Sequence, residues 1–189
     1  MPVDPNAIAT WANLITVGRI ALSPVMFLVI PDHERGSWLA FGLWFVLCAS
    51  DGIDGYLARR HGTTTSGAFL DPLADKVLVL GAMFTLVTKD VFWILPVAII
   101  AGREFIISVY RTFIASKGVS IPASQIAKWK TFLQQLAVGF ALWPWFAVDY
   151  KWWWVTLLWA AVALALISGA QYLWYSRVTE KALADSPAA

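Results

Sequence analysis

The chain has 189 residues, of which 59% are hydrophobic and only 14% charged, with a formal net charge of +2. Soluble domains devote about a quarter of their residues to charged side chains. Together with a mean hydropathy of +0.66, this composition predicts an integral membrane protein, for which we expect no nucleic-acid partner. The single cysteine, Cys48, can form no disulfide within the chain and is interpreted as a small core residue.

Six apolar segments follow one another, each close to the roughly 20 residues that a helix needs to cross a bilayer. They cover residues 14–30, 38–59, 70–88, 92–115, 125–148 and 152–175. We predict one all-α domain over 1–189, with a six-helix transmembrane bundle over 13–176. A short segment at 1–12, which could lie along the membrane surface, precedes the bundle. A cytoplasmic tail at 177–189 follows it. The N-terminus lacks a basic region and a small-residue cleavage site, so the first segment is expected to remain in the mature protein.

The distribution of lysine and arginine predicts the orientation of this bundle. With the N-terminus inside, only Arg35, Lys89 and Lys151 fall on the outer side, and the remaining basic residues fall on the inner side. The positive-inside rule then places both termini in the cytoplasm. Tryptophans cluster at the proposed outer boundary, where indole rings prefer to lie; they are Trp143, Trp145, Trp152, Trp153 and Trp154.

Four aspartates lie where apolar segments end and begin: Asp51 and Asp54 close the second segment, and Asp71 and Asp75 open the third. Carboxylates in a membrane need a cation, a metal or a proton. Spacings of three and four residues place each pair on one helical face, and the short connection predicts antiparallel neighbours with opposed carboxylates. Because oxygen ligands suit hard divalent cations, we predict a two-metal site that opens to the cytoplasm and holds a diphosphate.

Small and basic residues accompany these acids. Gly55 and Ala58 remove bulk from the second segment, so that a ligand can approach closely. Arg59 follows at the predicted helix end, placed to meet a phosphate with two hydrogen bonds. Metal ions and an arginine around a diphosphate are typical of phosphoryl transfer.

The combined pattern D-x-x-D-G-x-x-A-R, followed by G-x-x-x-D-x-x-x-D, resembles the signature of the CDP-alcohol phosphatidyltransferases. Every fixed position is filled, the second glycine by Gly67. One departure is that seven residues separate Arg59 from Gly67, where the usual pattern has eight. These enzymes join a CDP-activated alcohol to a second alcohol and release CMP.

Further stretches resemble the bacterial phosphatidylglycerophosphate synthases of that family; they are Asn13–Thr16 with Arg19, 67–76, 103–108 with Arg111, and 128–131. The resemblance implies CDP-diacylglycerol and sn-glycerol 3-phosphate as substrates, a bacterial cytoplasmic membrane and a homodimer. It implies that Asp51, Asp54 and Asp71 hold two Mg²⁺ or Mn²⁺ ions. Asp75 would share in that site and would be the catalytic base for the 1-hydroxyl of glycerol 3-phosphate.

The remaining charged residues suggest where the substrates bind. Arg111, Lys128 and Lys130 could converge on the phosphate of an anionic acceptor, whereas Lys117, Arg60, Arg177 and Lys181 are interpreted as ordinary cytoplasmic anchors. Arg103, within the fourth segment, is predicted to face the acidic cluster or the acceptor phosphate.

Two further expectations concern the start of the first helix and the fourth segment. Asn13 and Thr16 could reach the nucleotide of CDP-diacylglycerol. Glu104 is expected to pair with a residue such as Lys76 or Arg19 rather than with Arg103, because adjacent residues on a helix do not face each other.

Two alternatives remain open from the residues. The acceptor could instead be inositol, inositol phosphate, serine or phosphatidylglycerol, within the same family. A divalent-cation transporter is a more distant alternative, because intramembrane carboxylates can line an ion path. Against it, the acids cluster at one side of the membrane and Arg59 would repel cations.

Overall fold

The computed structural model describes residues 11–33, 35–61, 65–116 and 124–184, and the side chains of 14–33, 35–50, 52, 73–116 and 124–179. These ranges contain seven α-helices and no strand, which confirms the all-α prediction. The helices are α1 Trp11–Leu28, α2 Trp38–His61, α3 Thr65–Thr88, α4 Ile94–Ser116, α5 Gln125–Leu142, α6 Pro144–Asp149 and α7 Lys151–Ala184.

The predicted fifth segment, 125–148, is two helices rather than one. Helix α5 ends at Leu142, where Trp143 is extended and donates its backbone N–H to the carbonyl oxygen of Gly139 at 3.0 Å. Pro144 disfavours the continuation of α5, because it lacks an N–H and its ring crowds the carbonyl four residues earlier. It is well suited to a first helical position, and it begins the short helix α6. The expectation of one uninterrupted helix was therefore wrong.

Two bundles of helices share a hydrophobic core. Helix α7 packs along α5 and also contacts α4, while α1 packs against α3 and α2. The core is continuous across them and includes Met26, Met83, Ile100, Val138 and Leu158. Buried Trp44 joins the two groups, because its indole nitrogen donates a hydrogen bond of 3.1 Å from α2 to the carbonyl oxygen of Gln135 on α5.

The connections at one end of the bundle are tightly packed. Gly36 has a φ of 63°, and a Cβ there would lie 2.7 Å from the Cα of Pro144. Ser37 donates its backbone N–H to the carbonyl oxygen of Leu142 at 2.8 Å, and His33 donates to that of Lys89 at 2.9 Å. These bonds tie the α1–α2 connection to the turn after α3 and to the end of α5.

Aromatic rings gather at this same end, which we call the aromatic end and define by residues 29–38, 89–93 and 140–154. Trp143 stacks with Phe41 and Trp145, with centroids 5.3 and 6.3 Å apart. Phe140 and Phe146 stack at 4.7 Å. This clustering agrees with the tryptophan-rich boundary predicted from the sequence.

The surface of the molecule is strongly apolar. Helix α7 provides a stretch, Lys151–Thr179, that is long and apolar enough to cross a membrane, and shorter apolar stretches cover Leu14–Leu28 and Trp38–Ser50. Large hydrophobic side chains remain exposed on several helices, including Phe105 at 71% and Trp174 at 72%. Extended apolar surface of this kind is typical of a protein that contacts lipid or a partner.

Candidate active site

The backbone of the acidic segment is helical on both sides of a short connection. Helix α2 runs through Asp51 and Asp54 to His61, and α3 begins at Thr65 and runs through Asp71 and Asp75. The predicted segments, which end at 59 and resume at 70, therefore leave too long a gap between these two helices. Positions three and four apart share a helical face, so the backbone preserves the spacing on which the metal-site prediction depends.

Most side chains of this segment lie outside the described residues. They include Asp51, Asp54, Gly55, Ala58, Arg59, Gly67 and Asp71, and at the start of α1 also Asn13. The described side chains contain no group of three or more His, Cys, Asp or Glu that could hold a metal ion. The convergence of four carboxylates on two ions accordingly stays a prediction.

Asp75 is the one aspartate of the signature whose side chain is described. It is half-buried on α3, and its Oδ1 is fully buried. Its carboxylate acts electrostatically on the ammonium of Lys130, a residue of α5. The predicted base therefore has the buried ammonium of Lys130 in its electrostatic surroundings.

Helix α1 presents a buried polar face at the level of these acids. Thr16, Arg19 and Ser23 are all buried, and the Ser23 hydroxyl donates to the carbonyl oxygen of Arg19 at 2.7 Å. Helices α1 and α3 run in the same direction, and the close approach of Phe27 to Gly81 fixes their relative height. Counted back along both helices from that approach, Arg19 lies near the level of residue 73, close to the acidic segment.

A buried group of charges connects α4, α5 and α7, and we call it the Glu104 network: Arg103, Glu104, Lys130 and Ser168. The ammonium of Lys130 forms an ion pair with Oε1 of Glu104. The same oxygen lies 3.0 Å from Nη1 of Arg103. All three charged side chains are less than 15% exposed, so one carboxylate compensates two buried cations, and Asp75 adds negative charge beside Lys130.

This network corrects the expectation for Glu104. Its main partner is Lys130 rather than Lys76 or Arg19, and the neighbouring Arg103 does pair with it. The rule that adjacent helical residues point apart concerns their Cβ directions. Arginine has a side chain long enough to curl back along the helix, and the low-polarity surroundings favour that pairing.

Arg103 is also anchored to α7. Its Nε donates to the carbonyl oxygen of Ala165 at 3.1 Å, and its Nη2 donates to the Ser168 hydroxyl at 2.9 Å. Gly169 makes room for this approach, because a Cβ there would lie 3.4 Å from Nε of Arg103. The guanidinium donors of Arg103 are directed to α7 and Glu104, and its approach to the acidic cluster or the acceptor phosphate stays a prediction.

Lys76 follows Asp75 and connects α3 to α4. Its ammonium donates to the hydroxyl of Ser108, which in turn donates to the carbonyl oxygen of Glu104 at 2.6 Å. Ser108 was not singled out from the sequence. Its position four residues after Glu104 places both on one face of α4, which is the signal that could have identified it.

The three residues predicted to bind the acceptor phosphate differ in their surroundings. Arg111 and Lys128 are exposed, near the end of α4 and in the first turn of α5, whereas Lys130 is buried in the Glu104 network. The loop between them, 117–122, lies outside the described residues. Tyr172 packs edge-to-face against Tyr110 with centroids 6.2 Å apart.

Taken together, an apolar helical bundle carries a half-buried aspartate, a buried cation beside it and exposed basic residues near the same end. This arrangement defines an all-α protein with a polar site set among apolar helices. The sequence model of the CDP-alcohol phosphatidyltransferases matches residues 9–167. The chain belongs to that family.

Several curated relatives share most of their length with this chain. A CDP-diacylglycerol–glycerol-3-phosphate 3-phosphatidyltransferase of Haemophilus influenzae is 41% identical over 137 residues, covering 68% of this chain and 73% of the relative. The enzyme of the same name from Rickettsia bellii is 39% identical over 141 residues, covering 74% and 76%. That of Pseudomonas fluorescens is 38% identical over 169 residues, covering 86% and 84%.

Proposed function

We propose that this protein transfers the phosphatidyl group of CDP-diacylglycerol to sn-glycerol 3-phosphate, giving phosphatidylglycerol phosphate and CMP. The observation that carries the proposal is the complete family signature, with its acidic positions on two consecutive helices, α2 and α3. The match to the family over residues 9–167 and the names of the relatives support the same reaction.

Asp75 is the proposed base. It takes the proton of the 1-hydroxyl of glycerol 3-phosphate, and that oxygen forms a bond to the β-phosphorus of CDP-diacylglycerol. The bond from this phosphorus to the bridging oxygen breaks, and CMP leaves. Direct displacement agrees with the absence of a nucleophilic Ser, Cys or His motif beside the signature.

The donor set of the signature fits a hard divalent cation. Asp51, Asp54, Asp71 and Asp75 offer carboxylate oxygens only, the ligands that Mg²⁺ and Mn²⁺ prefer. When bound, such ions would neutralise the charge of the diphosphate. Arg59 would bind a phosphate oxygen, and Thr16 and Asn13 at the start of α1 would contact the nucleotide.

Lys130 and Glu104 have a positioning role in this proposal. The ammonium of Lys130 forms an ion pair with Glu104 and interacts electrostatically with Asp75, so its charge acts on the proposed base. Arg111 and Lys128, which are exposed, then remain to bind the phosphate of the acceptor. Such cations would be unnecessary for a neutral acceptor such as inositol.

The proposed setting is the cytoplasmic membrane of a bacterium. Six helices, α1 to α5 and α7, would span the bilayer, with both termini and the acidic site on the cytoplasmic side. The bias of lysine and arginine supports this orientation, and the aromatic end would lie at the opposite interface. A homodimer is expected from the family.

An acceptor panel tests the substrate assignment. Purified protein with labelled CDP-diacylglycerol and Mg²⁺ is offered glycerol 3-phosphate, inositol, inositol phosphate, serine or phosphatidylglycerol, and each product is identified by mass. We expect product with glycerol 3-phosphate. A product formed only with another acceptor would reject this substrate while leaving the family's chemistry intact.

Arg111→Gln tests the acceptor pocket. Loss of a charge-assisted bond to phosphate, about 1.5–3 kcal/mol, should raise the KM for glycerol 3-phosphate about tenfold or more and leave the KM for CDP-diacylglycerol unchanged. Arg177→Gln, which removes an exposed charge on α7, is the matched control. Equal KM values for the two variants would contradict the pocket.

A further inference from the structure

All three guanidinium nitrogens of Arg103 donate a hydrogen bond. Nε donates to the carbonyl oxygen of Ala165 at 3.1 Å, and Nη2 donates to the Ser168 hydroxyl at 2.9 Å. Both of these acceptors are on α7. Nη1 donates to Oε1 of Glu104 on its own helix, α4, at 3.0 Å. Because the guanidinium is a rigid planar fork, bonds in three directions fix its place and its tilt together.

The two arginines in the second half of α4 differ in their access to a soluble anion. The Arg103 side chain is only 11% exposed, whereas Arg111 is exposed. Helix α7 approaches Arg103 closely, since a Cβ at Gly169 would lie 3.4 Å from Nε and 3.5 Å from Cγ. To bind an acceptor phosphate, the Arg103 guanidinium would have to leave these buried partners unpaired, which is unfavourable. Arg111 has no such restraint from its burial.

The carboxylate of Glu104 transmits the position of Arg103 to Lys130. One oxygen, Oε1, accepts both the guanidinium of Arg103 and the ammonium of Lys130. The Lys130 side chain is only 5% exposed, so water is a poor substitute for this partner. A change in the position of Arg103 therefore displaces the oxygen that holds Lys130.

Three charges act on the ammonium of Lys130. Glu104 and Asp75 attract it, and Arg103 repels it. Charges interact more strongly in the interior of a protein than in water, so the place of the ammonium depends on all three. Arg103, Glu104 and Lys130 together have a net formal charge of +1, from two cations and one carboxylate. Without Arg103, the carboxylate of Glu104 would compensate Lys130 alone.

We propose that Arg103 is a positioning residue that acts through Glu104 on Lys130 and fixes the ammonium near Asp75, and that it is not a ligand of the acceptor phosphate. Helix α7 supplies the anchor through Ser168 and the carbonyl of residue 165. The inference rests on the proposed function, in which Asp75 is the base. It gives α7 a part in the reaction, although none of the residues proposed above to contact a substrate lies on that helix.

Steady-state kinetics of the full-length protein in detergent separate positioning from phosphate binding. Arg103→Gln keeps a polar side chain and loses both the charge and the fork. We expect kcat to fall about tenfold to 100-fold, as for a small misplacement of reacting groups, and the KM for glycerol 3-phosphate to stay within about twofold of wild type. Ser168→Ala removes the bond to Nη2 alone and should lower kcat by a smaller factor. Ser116→Ala is the matched control, because this exposed hydroxyl donates within α4, to the carbonyl oxygen of Phe113 at 2.7 Å.

A second set of variants tests whether Arg103 acts through Lys130. Arg103→Gln and Ser168→Ala are each combined with Lys130→Met, and the unfolding temperature shows which proteins are folded. If the ammonium carries the effect, neither change lowers kcat further once Lys130 is replaced, whereas independent effects would multiply. The combination with Ser168→Ala leaves Glu104 paired with Arg103, so it keeps this comparison decisive if Arg103→Gln/Lys130→Met does not fold.

The surroundings of Lys130 can also be followed without turnover. In protein with ¹³C-labelled lysine, the Cε resonance of Lys130 is assigned by its loss from the spectrum of Lys130→Met. We expect this resonance to shift in Arg103→Gln and in Ser168→Ala and to keep its wild-type position in Ser116→Ala.

Three results would overturn the proposal. The first is an unchanged kcat in Arg103→Gln, whether or not the KM for glycerol 3-phosphate rises. The second is a loss of kcat that is as large in the Lys130→Met background as in wild type, and the third is a Lys130 resonance that moves in neither variant. Failure of the proposed reaction is a different observation, namely that wild type releases no CMP with glycerol 3-phosphate, and the NMR comparison then decides on the positioning of Lys130 by itself.

Discussion

The two ends of the bundle handle polarity in opposite ways. At the aromatic end, rings pack on one another, and an ion pair between Asp32 and Lys89 lies at the surface, 2.7 Å between Oδ1 and Nζ. Towards the other end, Glu104 and Lys130 are buried between helices. The first arrangement holds the loops together without burying charge. The second places charges between helices, where their desolvation carries a free-energy penalty.

This difference indicates where function has shaped the chain. Buried ion pairs are often no more stabilising than apolar residues of the same volume, so stability alone does not account for the Glu104 network. The electrostatic interaction of Lys130 with Asp75 offers another reason, the placing of a positive charge near the proposed base. The aromatic end has the rings and small connections of an interfacial anchor.

The largest stability effect should come from Glu104→Gln. Removing the carboxylate leaves Lys130 and Arg103 buried without their shared counter-charge, and breaking a buried pair in this way costs about 3–5 kcal/mol. The checking measurement is the midpoint of thermal unfolding in detergent, with Glu104→Gln/Lys130→Met as the partner variant. The double variant should regain much of the lost stability but not the activity, because the charge beside Asp75 is gone.

If the single variant unfolds at the wild-type temperature, the ion pairs do not hold the helices together. If the double variant is fully active, Lys130 has no positioning role.

A smaller loss is expected for Gly36→Ala at the aromatic end. Its φ of 63° is unfavourable for alanine, by about 1–3 kcal/mol, and the new Cβ would lie 2.7 Å from the backbone of Pro144. Gly42→Ala on α2 is the matched control, since a Cβ there meets no atom within 4 Å. Thermal unfolding should separate the two variants, with Gly36→Ala less stable than wild type and Gly42→Ala at least as stable. An equally stable Gly36→Ala would show that this connection is not tightly packed.

The smallest effect is expected from the surface pair. The hydrogen bond and charge of Lys89 lower the pKa of Asp32 below its ordinary value of 3.8. Because the folded pKa is the lower one, any stabilisation from this pair is present above about pH 3.8 and is lost as the pH falls through the folded pKa. Site-resolved NMR titration of Asp32 in wild type and Lys89→Gln checks this, with the higher pKa expected in the variant. An unchanged pKa would contradict the contact.

Much of the fold could be predicted from the sequence because membrane helices are recognisable as long apolar segments. The start of α2 at Trp38 and the turn at Lys89 and Asp90 were found this way. The division between α5 and α6 was missed, since the apolar run continues across Pro144. Hydropathy alone does not register the lost N–H of a proline.

Long-range contacts could not be predicted from the sequence. Nothing local relates Arg103 to Ser168, which are 65 positions apart and meet at 2.9 Å. Likewise, the choice of Lys130 as the partner of Glu104 depends on how α4 and α5 are packed. The acidic signature was identifiable because its spacing is local, and the roles of its residues outside the described side chains stay predictions.

The most direct test of the account is the rate of CMP release by Asp75→Asn. Loss of a general base typically lowers turnover about 100-fold to 10,000-fold, and we expect such a loss in kcat with unfolding temperature and CDP-diacylglycerol binding preserved. Asp149→Asn, an exposed change at the end of α6, should release CMP at the wild-type rate. Wild-type turnover by folded Asp75→Asn protein would contradict the central claim that Asp75 activates the acceptor.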